Sequence, residues 1–153
     1  MKSLMVFLAA VLVVQALGTL VTYPAIKTWY AHLKKPSFNP PGWIFGPVWS
    51  VLYLMIAVSG WRIWQNKGET DVSGAMLFYG LQLGLNCLWS FLFFGIKNPR
   101  FAFYEIFLLW VSIGCTILVF FPLDMPAALL LIPYWAWVSF ASLLNFSIWR
   151  LNR

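Results

Sequence analysis

Charge is the scarcest ingredient of this sequence. Of its 153 residues only 9% are charged, whereas 62% are hydrophobic. A soluble domain carries roughly 25% charged residues, so the chain lacks the polar groups to clothe a water-facing surface. Acids are fewest, four Asp and Glu against ten Lys and Arg. In a soluble protein the excess of +6 would point to nucleic acid. Here the basic residues stand between apolar segments, where they set membrane topology, and no nucleic-acid partner is expected. One histidine, His32, and two cysteines, Cys87 and Cys115, complete the reactive inventory. They form no Cys/His cluster, which argues against a protein-built transition-metal site. Both cysteines fall midway along separate hydrophobic segments and read as small buried apolar residues, not a disulfide. No nucleophile–base pair, nucleotide loop or internal repeat is visible.

Long apolar runs are what the chain has. Five of them cover residues 4–24, 43–64, 75–96, 101–121 and 127–149, each near the ~20 residues that cross hydrocarbon as a helix. They are apolar on all sides, unlike the alternating strands of a membrane barrel. The expected fold is an all-α integral membrane protein, a single domain over residues 1–153. It is a five-transmembrane-helix bundle with a long ordered loop between helices 1 and 2. The start, Met1-Lys2-Ser3, and the small residues around Ala16-Leu17-Gly18 have some signal-peptide character. The apolar stretch Leu4–Val21 exceeds the roughly 7–15 residues of such a segment, so a retained first helix is expected. With five crossings, one side holds Lys2, Arg62 and Lys67. The other holds Lys27, Lys34, Lys35, Lys97, Arg100, Arg150 and Arg153. The positive-inside rule then places the N-terminus outside and the C-terminus in the cytoplasm, in the cytoplasmic membrane of a bacterium.

The first loop, Ala25–Gly42, runs eighteen residues, long for a bundle in which roughly 2–8 is usual. Pro36, Pro40 and Pro41 stiffen it. Its aromatics and lysines suit an interfacial anchor, the commoner role, or a lid over a cavity between the helices. Gln82, Asn86 and Trp89 share one face of the third helix, which should turn inward because an unpaired amide is costly in hydrocarbon. They serve either as ties between helices or as ligand contacts. Gln15 and Asn145 read as ties. Trp49 and Tyr53 pair at four-residue spacing behind Pro47, which should bend the second helix or loosen its first turn. Trp137, Ala141, Leu144 and Asn145 form a stripe on the fifth. Glu105 is the sole acid inside a span and is expected to snorkel outward or pair with Arg100. A relay is the lesser reading for a carboxylate with no second acid or histidine nearby.

The order Trp29-Tyr30-x-x-Leu33-x-Lys35-Pro36-x-Phe38-x-Pro40-Pro41-x-Trp43-x-x-x-Pro47-x-Trp49-x-x-x-Tyr53 closely resembles the signature of the TspO/MBR family of tryptophan-rich sensory and translocator proteins. The resemblance continues through Gln82-Leu83-x-x-Asn86-x-x-Trp89, Phe93-Phe94-Gly95 and Pro133-Tyr134-x-x-Trp137-x-x-Phe140-Ala141-x-x-Leu144-Asn145, and so covers essentially the whole chain. It implies a pocket between the helices near the cytoplasmic end, beneath the first loop. Porphyrins and benzodiazepine-like molecules would be its ligands. By this resemblance Tyr30, Pro40, Trp49, Tyr53, Asn86, Trp89, Trp137, Ala141 and Leu144 are the candidate ligand-binding residues. Trp49 and Trp137 would stack on a planar macrocycle, Asn86 would orient a polar group, and the basic loop would meet the propionates.

No obligatory cofactor or metal is implied, and porphyrin enters as ligand. The implied function is a sensor or receptor for tetrapyrroles such as protoporphyrin IX, regulating tetrapyrrole or stress metabolism. A light- and oxygen-dependent porphyrin-degrading enzyme, with Trp49 and Trp137 as redox partners, ranks second. A transporter of porphyrin or another lipophilic solute ranks third, since repeat symmetry and a coupling residue are missing. Small residues at Gly80 and Gly84 permit close helix approach, and with the family habit they imply a homodimer through helix 3. Two departures stand out. Position 38 is Phe where many members have Trp, and Phe146 replaces the Tyr of the cholesterol-recognition pattern, so cholesterol binding is not expected.

Overall fold

In hydrocarbon a backbone N–H or C=O finds its partner only within its own helix, and every apolar run here is helical. The computed structural model describes all residues, Met1–Arg153, and contains helices and turns but no strands. The helices are α1 (Lys2–Lys27), α2 (Gly42–Gln65), α3 (Ser73–Ser90), α4 (Pro99–Phe120), α5 (Met125–Leu130) and α6 (Ile132–Leu151). Five helical stretches are long and apolar enough to cross a membrane, with α5 and α6 together forming the fifth. Around the bundle the order is α1, α2, α5/α6, α4 and α3, with α3 returning to α1.

Three local features depart from five plain helices. Residues 127–149 are not one uninterrupted helix: a turn at Leu131 separates α5 from α6. Pro133 has no N–H to return to the preceding turn, which breaks the ladder there. The third span finishes as a π-helical turn, Phe91–Gly95, in which Ile96 N–H donates to the Phe91 carbonyl at 2.7 Å. Lys97 then takes φ 61°, a left-handed conformation that ends the helix. Asn98 caps α4 by accepting from Phe101 N–H at 3.1 Å, with Pro99 in the first turn. In contrast, α2 is helical straight through Pro47.

Burial is inverted relative to a soluble protein. Only 33 of 153 residues are buried, and they include Gln82, Asn86 and Asn145, each 3% exposed or less. Leu20, Leu77 and Leu118 are instead more than 70% exposed on the outer face, as expected where the solvent is lipid. At the end of the bundle away from the first loop, Arg62 grips Asp124 through two donors at 2.6 and 3.1 Å. Asn66 reaches the Leu123 carbonyl beside it, at 3.2 Å. Together they pin the end of α2 to the α4–α5 turn.

Between α2 and α3 the close approach rests on Gly60. The Tyr79 ring lies on it, and the hydroxyl donates to the Ile56 carbonyl at 2.9 Å. A Cβ on Gly60 would overlap that ring and stand 2.7 Å from its hydroxyl oxygen. Gly60→Ala must therefore displace a buried tyrosine and its hydrogen bond. We expect it to cost about 1–3 kcal/mol, read as a lowered melting temperature in detergent. Gly74→Ala, where a Cβ meets nothing within 4 Å, should leave the melt nearly unchanged.

Candidate ligand-binding site

At the first-loop end of the bundle, α1, α2, α3 and α6 leave space between them. A cavity of about 270 Å³ lies there, lined mainly by apolar and aromatic side chains. No carboxylate, histidine, cysteine, lysine or arginine side chain lines it. Its polar features are amides and hydroxyls, which fix orientation without committing charge.

Of the nine candidate residues, the structure brings eight to this one cavity. They are Tyr30 from the loop, Trp49 and Tyr53 from α2, Asn86 and Trp89 from α3, and Trp137, Ala141 and Leu144 from α6. Pro40 is not among the lining residues. Its neighbour Asn39 is what acts there, accepting from the Tyr30 hydroxyl at 3.2 Å. Burial pushes the Tyr30 hydroxyl above its ordinary pKa, with the Asn39 bond opposing the shift, so Tyr30 stands as a neutral donor.

The amide of Asn86 is fixed from both sides. Its oxygen accepts from the Tyr53 hydroxyl at 2.7 Å, and its nitrogen donates to the Tyr134 hydroxyl at 2.8 Å. That chain ties α2, α3 and α6 at the level of the cavity. Trp89 is held similarly: its indole N–H donates to Asn145 at 2.9 Å, and Asn145 donates to the Pro99 carbonyl at 2.7 Å. Asn86 and Asn145 thus both tie helices and line the cavity. Gln82, on the same face of α3, is buried without any hydrogen-bond partner and does not reach it.

Trp49 and Trp137 meet edge to face, centroids 6.5 Å apart and planes at 90°. Stacking of both on one flat molecule is therefore not available in this arrangement. They offer one face and one edge. Trp49 is further set by Tyr53 at 5.4 Å, and Trp137 by Phe45 at 6.0 Å and Phe140 at 5.6 Å.

The first loop packs across the bundle's end. Trp29 and Tyr30 meet Phe93, and Phe38 meets Phe140 at 6.2 Å. Lys34 and Asn152 exchange two hydrogen bonds, 2.9 and 2.8 Å, binding the loop to the end of α6. Two lysines stand against aromatic rings that line the cavity. Lys27 lies 4.8 Å from the Tyr23 ring centre and donates to its hydroxyl, and Lys35 lies 4.7 Å from that of Tyr30.

Sequence reasoning missed the α1 wall. Gln15, Gly18, Thr19, Thr22, Tyr23 and Ile26 all border the cavity. Gln15 does act as a tie, donating to Ser50 at 3.3 Å. The signal was present: polar and small residues recur at three- and four-residue spacing in an otherwise apolar helix. Two further expectations need correction. Glu105 neither snorkels nor pairs with Arg100. It is 6% exposed, and both carboxyl oxygens lack partners, because its face of α4 turns toward α3 and α6. The cysteines are free but half-buried rather than buried.

Comparison with known proteins places the chain in a family along nearly its whole length. The TspO/MBR family model matches residues 7–150. The tryptophan-rich protein TspO of Archaeoglobus fulgidus is 41% identical over 150 residues, covering 98% of this chain and 97% of that one. Its counterpart in Chlorobaculum tepidum is 44% identical, covering 88% and 86%. The translocator protein of Homo sapiens is 37% identical, covering 81% and 75%. The match spans all five helices and the loop above the cavity, and the chain belongs to the TspO/MBR family.

Proposed function

We propose that this chain is a membrane receptor or sensor that binds tetrapyrroles, protoporphyrin IX or related haem-pathway intermediates, and so regulates tetrapyrrole or stress metabolism. The observation that carries the reading is the composition of the cavity. It is an apolar chamber walled by Trp49 and Trp137, with the pre-oriented Asn86 amide inside and Lys27 and Lys35 against its rim tyrosines. An apolar macrocycle with carboxylate side groups needs those three elements. At about 270 Å³ the chamber is at the small end of the roughly 300–1,000 Å³ typical of ligand pockets. Its α1 wall includes Tyr23 and Thr19, both also exposed on the outer surface, so a larger ligand extends sideways between α1 and α2. Membership of a family whose relatives are named sensory and translocator proteins supports a receptor over an enzyme. No nucleophile paired with a base lines the cavity.

Titration of the purified protein with protoporphyrin IX should give a saturable shift of pigment absorbance. Trp49→Ala and Trp137→Ala should each weaken binding by about 1 kcal/mol, a roughly five-fold rise in Kd. Unchanged affinity in both variants would place the ligand elsewhere.

The surface of α3 supports a homodimer. A methyl group added at Gly80 or Gly84 would meet nothing within 4 Å, and Leu77, Leu81 and Leu88 beside them are 45% exposed or more. A flat strip of this kind lets two backbones approach. With Cys87 and Cys115 replaced, a single cysteine at Leu77 or Leu81 should crosslink two copies, and one at Leu118 should not. Equal yields from α3 and α4 positions would exclude an α3 interface.

The seven basic residues at the first-loop end against three at the other support a C-terminus in the cytoplasm of a cytoplasmic membrane. A C-terminal reporter active only in the cytoplasm should give signal, and one active only outside should stay silent. The reverse pattern would invert the topology.

A further inference from the structure

The two flanks of α1 are packed unequally along its length. Its first half is fastened to α2. Gln65 donates to the Ser3 hydroxyl at 3.1 Å, the Phe7 ring meets Trp64, and Gln15 donates to the Ser50 hydroxyl at 3.3 Å. Beyond Gln15 no side-chain hydrogen bond or ring contact joins α1 to α2. The second half of α1 leans instead on the end of the third span. A Cβ on Gly18 would stand 3.3 Å from the Ser90 hydroxyl, and one on Gly95 would stand 3.8 Å from Val21. The flank toward α2 stays open. One turn from the Gln15–Ser50 bond toward the first loop are Thr19 and Gly46, and one turn further are Tyr23 and Gly42. All four line the cavity and all four are exposed, Tyr23 to 60%. Residues on both helices that border a cavity and remain open to the exterior mark a slot through its wall.

The slot makes few demands on what passes through it. Glycine is the poorest helix former after proline, yet at Gly42 and Gly46 a Cβ would meet nothing within 4 Å. No neighbouring side chain requires them to be small, and what they leave is room beside α1. Thr19 spends its hydroxyl on the Gln15 carbonyl of its own helix, at 2.8 Å. Lys27 stands at the slot's outer edge, its ammonium against the Tyr23 ring and hydroxyl. From Thr19 to Ile26 the opening runs about 10 Å along α1, at a rise of roughly 1.5 Å per residue. Both helices are long and apolar enough to cross a membrane, so the slot opens toward lipid. The end of the bundle is closed by comparison. There Lys34 and Asn152 exchange their two bonds, and Trp29, Tyr30 and Phe38 pack on rings of the third and last spans.

We propose that this slot is the entrance to the ligand site: a flat lipophilic molecule passes edge first from the bilayer between α1 and α2, across Gly46, and not from water beneath the first loop. An apolar ligand leaves water for lipid, which concentrates it on the side where the slot opens. A thin edge suits a gap made by absent side chains, and an acidic arm trailing at the outer edge meets Lys27. The slot also lets part of a molecule larger than the cavity rest against Thr19 and Tyr23. The ligand's identity rests on the tetrapyrrole reading above, whereas the slot and its direction do not.

Two measurements on the full-length protein in lipid nanodiscs decide this. The first uses no ligand. A small aryl diazirine dissolved in the bilayer is photolysed, and its carbene adducts are located by mass spectrometry. Adducts should form on the cavity face of α6, at Trp137 and Ala141, as well as at Leu143, which is 62% exposed on the outside. Gly46→Phe should remove most of the inner adducts and leave those at Leu143. Thr19→Phe, filling the slot from its other side, should do the same and guards against a folding failure in either variant. Gly74→Phe, in equally open space at the far end of the bundle, should change nothing. A disulfide between Lys34→Cys and Asn152→Cys, with Cys87→Ala and Cys115→Ala, ties down the first loop and should also leave the inner adducts in place. Inner adducts absent from the unsubstituted protein, or kept in both slot variants, would overturn the proposal. So would inner adducts lost only when the loop is tied. In the second measurement, protoporphyrin IX carried in phosphatidylcholine vesicles is mixed with the nanodiscs and quenching of Trp fluorescence is followed. Association should slow about ten-fold in Gly46→Phe and stay within about two-fold when the loop disulfide is oxidised. Slowing by the disulfide alone would place the entrance beneath the loop and overturn the proposal. If the unsubstituted protein takes up no pigment, the tetrapyrrole reading falls, and the diazirine result still decides the slot.

Discussion

Lipid tails neither donate nor accept hydrogen bonds, and the structure is organised around that fact. Each polar side chain within a span must find a partner inside the bundle or reach an end. Asn86 is the clearest case. Its amide takes one bond from α2 and gives one to α6, so three helices are held at a common level by one residue. The geometry that satisfies Asn86 also aims it at the cavity. Helix association and the orientation of the cavity wall are therefore set by the same pair of bonds, each worth roughly 0.6 kcal/mol by membrane-protein standards. Asn145 repeats the device, holding Trp89 in place and reaching the α4 N-terminus through the Pro99 carbonyl.

The two ends of the bundle solve different problems. Away from the first loop, the Arg62–Asp124 pair and the Asn66 bond close α2 onto the α4–α5 turn, and Ser59 donates to the Ala127 carbonyl at 2.7 Å in the interior. That end is tightly packed, with Gly60 and Tyr79 at van der Waals limits. At the loop end aromatic rings rather than ion pairs occupy the space between the helices. Rings give area and shape without demanding a partner for every atom, which lets space remain open among them. The first loop then covers what the helices leave, pinned by Asn152 at its centre.

Much of this is legible in the sequence. Five apolar runs of the right length fix five helices, because the bilayer leaves the backbone no alternative. Eight of the nine residues singled out do gather around one cavity, since four-residue spacings such as Trp49–Tyr53 and Trp137–Ala141 place side chains on one face. What the sequence hides depends on register between helices. The perpendicular meeting of Trp49 and Trp137 is a property of the α2–α6 crossing, invisible in either segment. Glu105 departs from expectation because depth along a helix is readable from spacing, whereas the direction it faces depends on where α3 and α6 lie. Pro40 belongs to a motif whose geometric work falls to Asn39.

The unequal burial of the helices bears on how the cavity admits anything. On α4 the buried face is broad, from Ala102 through Phe120. On α1 only Val11, Gly18 and Ala25 are buried, a ridge with one buried residue every two turns, flanked by the half-buried Phe7, Leu8 and Val14. Two of the three buried residues are Gly and Ala, whose small size brings the backbone close; a Cβ on Gly18 would already stand 3.3 Å from the Ser90 hydroxyl. Such contacts bury little area and gain little dispersion energy per turn. The walls formed by α3 and α6 are, by comparison, backed by α4 and cross-linked through Asn86, Asn145 and Trp89. On the reading proposed above, a ligand larger than the cavity would meet two cross-linked walls, α3 and α6, and the thinly buried wall of α1. That α1 wall faces lipid, the phase from which a lipophilic molecule would come.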